Sequence, residues 1–313
     1  MKGLELSERF YRAYGEPMLQ EQFSALLPHV AVGLFGAGSE CFGFDDEVSK
    51  DHDFEPGFML LLPDESVVDR RAAFQLERAY AKLPKEFEGF TRSVVAPVGG
   101  ARHGVMRTAD FFREKLGSPD GILTVSQWLT APEHALAEVT NGRLFFDGRG
   151  EVTRIRESLS RYPEDIRKKK LAGSLLLMAQ AGQYNYTRCL KHGETGAAQL
   201  AAGEFVKSAM AVVFLLNNVY QPYYKWSFRA MRALPKLSLL AETMEYLLST
   251  DNEPSLAETK YDMIEDAAAD VIDELQTQGL TKAICGDLEK HAYSVNDQIS
   301  DGDIRNLHIL AAI

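Results

Sequence analysis

The stretch that decides the fold runs from Val30 to Leu62 and reads V-A-V-G-L-F-G-A-G-S-E-C-F-G-F-D-D-E-V-S-K-D-H-D-F-E-P-G-F-M-L-L-L. Its first six residues, Val30 to Phe35, form a short apolar run that predicts a β-strand. Gly36-Ala37-Gly38-Ser39 ends that run in a tight turn. A loop rich in Gly and Asp follows, and Asp51-His52-Asp53 leads into a second apolar run, Phe58 to Leu62. Side chains two apart on a strand project from the same face, so this spacing points Asp51 and Asp53 into one pocket. Two carboxylates that close repel each other unless a cation sits between them. Mg²⁺ (or Mn²⁺) suits that place, because it takes oxygen ligands from one or two carboxylates together with substrate phosphates. Gly38 and Ser39 would offer backbone N–H groups and a hydroxyl to such phosphates, with glycine allowing close approach. An Asp-x-Asp alone is a common turn element. The ordered series of strand, Gly-Ser, loop, Asp-x-Asp and strand is what gives the pattern weight.

Around this stretch lies a chain of 313 residues, long enough for two domains of ordinary size, and its 45% hydrophobic content supports a real core. The three cysteines, Cys41, Cys189 and Cys285, are too few and too scattered for a disulfide framework or a zinc knuckle, and fit a reducing cytoplasm. No secretory signal is visible in the opening Met1-Lys2-Gly3-Leu4-Glu5. Unbroken apolar stretches such as Met210 to Leu216 are too short to span a bilayer, so no membrane partner is expected. A net charge of -11 argues against non-specific nucleic-acid binding. A polyanionic ligand would need a local basic pocket or an intervening metal ion.

In chain order, Leu6 to Leu27 has apolar residues at helical spacing and predicts two short helices split at Gly15-Glu16-Pro17. Asp64 is positioned to cap a helix running to about Leu83, with Phe74, Leu76, Ala79, Tyr80 and Leu83 on its apolar face. Val94 to Val98 and Gly104 to Met106 are short strand candidates around Gly99-Gly100. Phe111, Phe112 and Leu116 lie at helix spacing, Val125 to Val139 reads as one helix, and Arg143 to Gly148 as a short strand or extended arm. The composition then turns helical throughout, over Val152–Leu159, Pro163–Leu190, Glu194–Val219, Leu234–Leu248, Leu256–Gln278 and Leu280–Tyr293. The expected architecture is α+β, a small mixed β-sheet domain with N-terminal helices over residues 1–149 and an all-helical bundle over 150–313.

The G-A-G-S-E-C-F-G-F-D-D-E-V-S-K-D-H-D-F loop and the later N-V-Y-Q-P-Y-Y-K-W segment, Asn218 to Trp226, resemble the nucleotidyltransferase superfamily that shares the DNA polymerase β fold. Within it they resemble the uncharacterised domain-of-unknown-function family 4037, with a likeness extending from about Val30 to beyond Leu280. The resemblance implies metal-dependent transfer of a nucleoside monophosphate from a nucleoside triphosphate to a hydroxyl, with a small molecule as acceptor. It implies Asp51 and Asp53 as metal ligands and Gly38 and Ser39 as the grip on the triphosphate. Active members of the superfamily usually carry a third carboxylate on a later central strand. Here the candidate strand Arg102-His103-Gly104-Val105-Met106-Arg107 carries no acid, and Asp110 falls beyond it as a helix cap. A nucleotide-binding or regulatory module of the same fold, and transfer to a protein or RNA acceptor, therefore stand as alternatives; the absence of an extended basic surface weighs against RNA.

Further residues have two readings each. His52 points to the strand face opposite the aspartates and reads as structural. Asp45 and Asp46 read equally as a solvated acidic loop or as supports for the site. Cys41 reads as a small buried residue. Gln183-Tyr184-Asn185-Tyr186 is unusually polar for a bundle interior. In the helical half the family also carries a glycine followed by an acid, here Gly193-Glu194, which makes Glu194 a candidate general base; its plainer role is a first-turn acid facing the helix dipole. Lys225 is a candidate to reach the triphosphate, or an ordinary lysine lying over aromatic packing. The basic run Arg167-Lys168-Lys169-Lys170 reads as a solvated helix face.

Overall fold

The computed structural model describes residues 1–50, 54–92 and 102–313. It divides into two compact units, Met1–Leu123 with Pro132–Ser160, and Thr124–Ala131 with Arg161–Ile313. The fold class is the expected one: α+β, with a small mixed sheet followed by helices.

The first unit holds β1 (Ala31–Leu34), β2 (Met59–Leu62), β3 (Glu86–Phe87), β4 (Phe90–Thr91), β5 (Gly104–Arg107) and β6 (Arg143–Asp147). Four of them make a sheet in the order β5-β2-β1-β6, and β3 and β4 form a separate hairpin. β1 runs antiparallel to β2 and β6, while β5 runs parallel to β2. The register of β1 on β6 shifts between Val32 and Gly33, so Phe145 is the additional residue of a bulge. Val30, Val32 and Leu34 alternate into one core with Phe58, Leu60 and Leu62, against Phe10, Tyr11 and Leu19 of the N-terminal helices. The intervening Ala31, Met59 and Leu61 are buried too, on the opposite face. Burial on both faces is why these strands read as unbroken apolar runs. Helix Glu151–Ser158, which follows Gly150, packs on β6 within this unit.

Several local expectations change. The N-terminal segment bends through a π-helical stretch, Tyr11–Gly15, between helices Gly3–Phe10 and Glu16–Gln22. The helix expected from Asp64 spans Arg70–Ala81 and is capped by Asp69, whose carboxylate accepts the Ala72 N–H at 2.7 Å. Asp64 closes its own turn on the Ser66 N–H at 2.9 Å. Phe74 is 57% exposed rather than on the apolar face. Val125–Val139 is two helices, Val125–Thr130 and Glu133–Thr140, broken at Ala131-Pro132. Val94–Val98 and Gly99-Gly100 lie outside the described residues.

In the second unit, helix Thr195–Leu216 is the core element, with Phe205, Val212, Val213 and Phe214 fully buried. It packs on Glu164–Met178, on the π-helical segment Ala179–Tyr186 and on Leu240–Ser249. By length and composition this helix is also apolar enough to cross a membrane, which the count of unbroken apolar residues missed; two thirds of that stretch is buried among its neighbours. Tyr224–Met231 adds a helix that the sequence pattern did not suggest.

The basic run is not a solvated face. Arg167, Lys169 and Lys170 are buried and only Lys168 is partly exposed. Their charges go to oxygen atoms of the protein: Lys169 donates to Asn296 Oδ1 at 2.8 Å, the Leu307 carbonyl at 2.7 Å and the Arg305 carbonyl at 3.2 Å. Lys168 donates to the Gln298 carbonyl at 3.1 Å, and Arg167 pairs with Glu164 at 2.8 Å. Helix ends leave carbonyls unpaired, and an ammonium on a long apolar stem is suited to gather them.

Candidate functional site

Because β1 and β2 are antiparallel and β5 is parallel to β2, the end of β1 and the starts of β2 and β5 lie at one end of the sheet. The Gly36–Ser39 turn leaves β1 there. Gly36 has φ of +119°, which glycine tolerates, and its peptide is held by Asn141, whose Oδ1 accepts from the Gly36 N–H and whose Nδ2 donates to the Gly36 carbonyl. Ser39 opens a 3₁₀ turn, Glu40–Phe42, and its carbonyl accepts the Phe44 N–H at 2.9 Å. Gly38 is buried and Ser39 half-buried.

The space beside Gly38 is filled by Glu40. A Cβ built on Gly38 would stand 2.1 Å from Glu40 Oε1, the far end of a flexible side chain, so the carboxylate occupies the space directly over Gly38. Glu40, 8% exposed, accepts a hydrogen bond from the Arg102 guanidinium at 3.3 Å. At the same end, His103 Nδ1 and Glu55 Oε1 are 3.1 Å apart, and the His103 ring packs directly on Gly57. At the start of β2, the Tyr80 hydroxyl donates to the Phe58 carbonyl at 2.9 Å and accepts the Phe58 N–H at 3.1 Å. None of Glu40, Arg102, Glu55, His103 or Asn141 figured among the sequence candidates. The sequence carries no local signal for them, since the pairs join residues 62, 48 and 105 positions apart.

Asp51, His52 and Asp53 lie outside the described residues. Among the described residues there is no group of three or more His, Cys, Asp or Glu side chains placed to hold a metal ion. At this end of the sheet Glu40 pairs with Arg102 and Glu55 with His103. Asp110 sits in the first turn of helix Thr108–Leu116 and pairs with Arg113 at 2.6 Å.

Asp45 is buried: its Oδ2 accepts the Gly3 N–H at 2.8 Å and its Oδ1 lies 3.4 Å from Lys2 Nζ, so it fastens the N-terminal helix rather than lining a solvated loop. Asp46 is exposed and accepts from the Val48 and Ser49 N–H groups. Cys41 is buried, and desolvation, with the charge of Glu40, pushes its thiol well above the usual range. That makes it inert as a nucleophile.

Glu194 and Lys225 lie in the second unit. Glu194 is exposed and precedes helix Thr195–Leu216 without a side-chain capping bond, following Gly193 at φ of +73°. Lys225 is exposed, with Nζ 5.1 Å from the Trp226 ring centre. The polar segment singled out in the sequence forms the π-helix Ala179–Tyr186, a conformation common near functional sites. Gln180, Gln183, Tyr184 and Asn185 line a cavity of about 530 Å³ together with Asp287 and Glu289. Gln183 is tied down there, donating to Glu265 and to the Gly286 carbonyl. Tyr186 points away into a buried polar network, donating to Asn252 Oδ1 at 2.8 Å, while Asn252 and Lys260 both donate to Gln199.

The domain-of-unknown-function family DUF4037 matches the chain over residues 128–227. The match includes the Asn218–Trp226 segment and not the Gly36–Phe54 loop motif, so it is shorter than the likeness expected from Val30 to beyond Leu280. The matched region takes in the π-helix, Glu194 and Lys225, and begins well after Gly38 and Ser39. No protein of curated function matches. Among solved structures the chain is similar to a nucleotidyltransferase-like protein from Exiguobacterium sibiricum 255-15, at 13% identity and a TM-score of 0.38, over 94% of this chain and 81% of that one.

Proposed function

We propose that this protein is a metal-dependent nucleotidyltransferase, moving a nucleoside monophosphate from a nucleoside triphosphate to a hydroxyl of a small molecule. The observation that supports this most is that β1 runs out into Gly38-Ser39 at the sheet end where β2, the strand that follows Asp51-x-Asp53 in sequence, begins. Gly38 and Ser39 hold the triphosphate through backbone N–H groups and the Ser39 hydroxyl. Asp51 and Asp53 hold Mg²⁺ or Mn²⁺, which supplies neutralisation of phosphate charge and activation of the attacking oxygen. Glu194 is proposed as the base that takes the acceptor's proton, and Lys225 as a point charge for the triphosphate. The setting proposed is the cytoplasm, supported by the scattered cysteines; nucleic acid and membrane are not proposed as partners.

A specific observation favours a second reading. β5 carries Gly104-Val105-Met106-Arg107 with no acid, which fits a module that binds nucleotide without turning it over. Incubation with Mg²⁺, labelled nucleoside triphosphates and a panel of hydroxylated acceptors separates the two. Pyrophosphate release that depends on an acceptor supports transfer. Binding without release with every triphosphate and acceptor supports the module.

A further inference from the structure

The Glu40 carboxylate is an anion resting where the proposed function places another. It fills the volume beside Gly38, and Arg102, just before β5, donates to it across 62 residues of sequence. Their side chains are only 10% and 22% exposed, and Arg102 is the ion-pair partner of Glu40 among the described residues. Taken so far from water, a carboxylate depends on its cation for stability.

We infer that Arg102 binds the polyphosphate of the nucleotide, and that Glu40 is the resident anion it holds until the nucleotide arrives. This rests on the triphosphate reading of Gly38-Ser39. A guanidinium matches carboxylate and phosphate oxygens equally well in shape, so an exchange of partner preserves its hydrogen bonds. Glu40 cannot stay, because phosphate oxygens approaching Gly38 would meet its own oxygens, anion against anion. Its departure is mechanically simple. The backbone of the Glu40–Phe42 turn is closed by the Cys41, Phe42 and Gly43 N–H groups on the carbonyls of Gly38, Ser39 and Glu40, so the side chain can rotate out while the turn stays. The same exchange gives a chain with a charge of -11 a cation with which to meet a polyanion.

Calorimetry with inorganic tripolyphosphate and with a non-hydrolysable nucleoside triphosphate, both with Mg²⁺, tests this on the wild type, Glu40→Gln, Arg102→Met and the double variant. Glu40→Gln keeps the shape and removes the competing charge, so both probes should bind about tenfold tighter. Arg102→Met should weaken both by about tenfold or more, and in the double variant the gain from Glu40→Gln should vanish. Equal tightening for both probes assigns the exchange to the phosphate chain rather than the base. If the wild type binds but Glu40→Gln leaves affinity unchanged, the exchange is wrong and the triphosphate reading stands. If neither the wild type nor Glu40→Gln binds either probe, the triphosphate reading fails and takes this inference with it. Arg102→Lys, which keeps the charge, should retain part of the affinity; a purely structural arginine would lose stability in both variants and change affinity in neither.

Discussion

Asn141 grips the Gly36 peptide on both sides, accepting its N–H at 2.9 Å and donating to its carbonyl at 2.8 Å. The side-chain amide behaves as one more residue of a strand, joining the turn after β1 to the residues before β6. Gly142, immediately beyond, has φ of +60°, and a Cβ there would stand 2.1 Å from the Leu34 carbonyl, so the two loops are in backbone contact. Asn141→Ala leaves both Gly36 groups without this partner, at a cost of about 1–3 kcal/mol. Asn141→Asp keeps an acceptor but sets a charge against the Gly36 carbonyl, and should cost at least as much. Urea unfolding followed by circular dichroism reads both, and an unchanged midpoint for Asn141→Ala would show that the clamp does not matter.

Lys169 should be among the most sensitive positions of the helical unit. Lys169→Met preserves the stem and strands three acceptors, Asn296 Oδ1 and the carbonyls of Arg305 and Leu307, for an expected loss of about 2–4 kcal/mol. Lys207, 78% exposed with Glu204 at 3.8 Å, provides the contrast; Lys207→Met should stay within about 0.5 kcal/mol of wild type. Hydrogen exchange should show the loss as reduced protection around Arg305 and Leu307, whose carbonyls Lys169 ties down. Equal melting of the two variants would contradict this.

Alkaline pH should weaken the helical unit in part through one buried hydroxyl. Burial pushes the Tyr186 phenol up to about 12 from an ordinary value of 10.0. The folded state therefore keeps a proton that the unfolded chain gives up, so this contribution is fully present below pH 10 and is lost as the pH rises towards 12. Its full size is on the order of 2–3 kcal/mol. Tyr186→Phe removes the titrating group, and the fall in stability between pH 10 and 12 should be shallower than in wild type. Tyr11, also pushed up to about 12 by burial, adds a similar slope in the first unit and supplies an internal comparison through Tyr11→Phe.

β1, β2 and β6 were legible because each is a short apolar run bounded by turn residues, and the helices because their apolar spacing is long. What escaped was decided by contacts at a distance. Asp64 and Asp69 are both competent caps, and only the start of regular helix at Arg70 chooses between them. The Arg167–Lys170 run looked solvated because sequence shows charge but not the carbonyls of residues 296–312 that neutralise the need for water. Pro132 was visible, yet its neighbours kept helical spacing on both sides of the break. At the candidate site, the turn at Gly38-Ser39 stands out locally, whereas Glu40, Arg102 and Asn141 are ordinary residues until the sheet brings them to one end.

Asp51 and Asp53 are proposed to share one divalent ion beside a bound triphosphate. The most direct measurement is Mn²⁺ titration, read by electron paramagnetic resonance, in the presence of a non-hydrolysable nucleoside triphosphate, on wild type, Asp51→Ala and Asp53→Ala. The expected result is one Mn²⁺ bound in the ternary mixture by wild type, with affinity reduced by about a hundredfold or more in each variant. Mn²⁺ held equally well by all three proteins would contradict it.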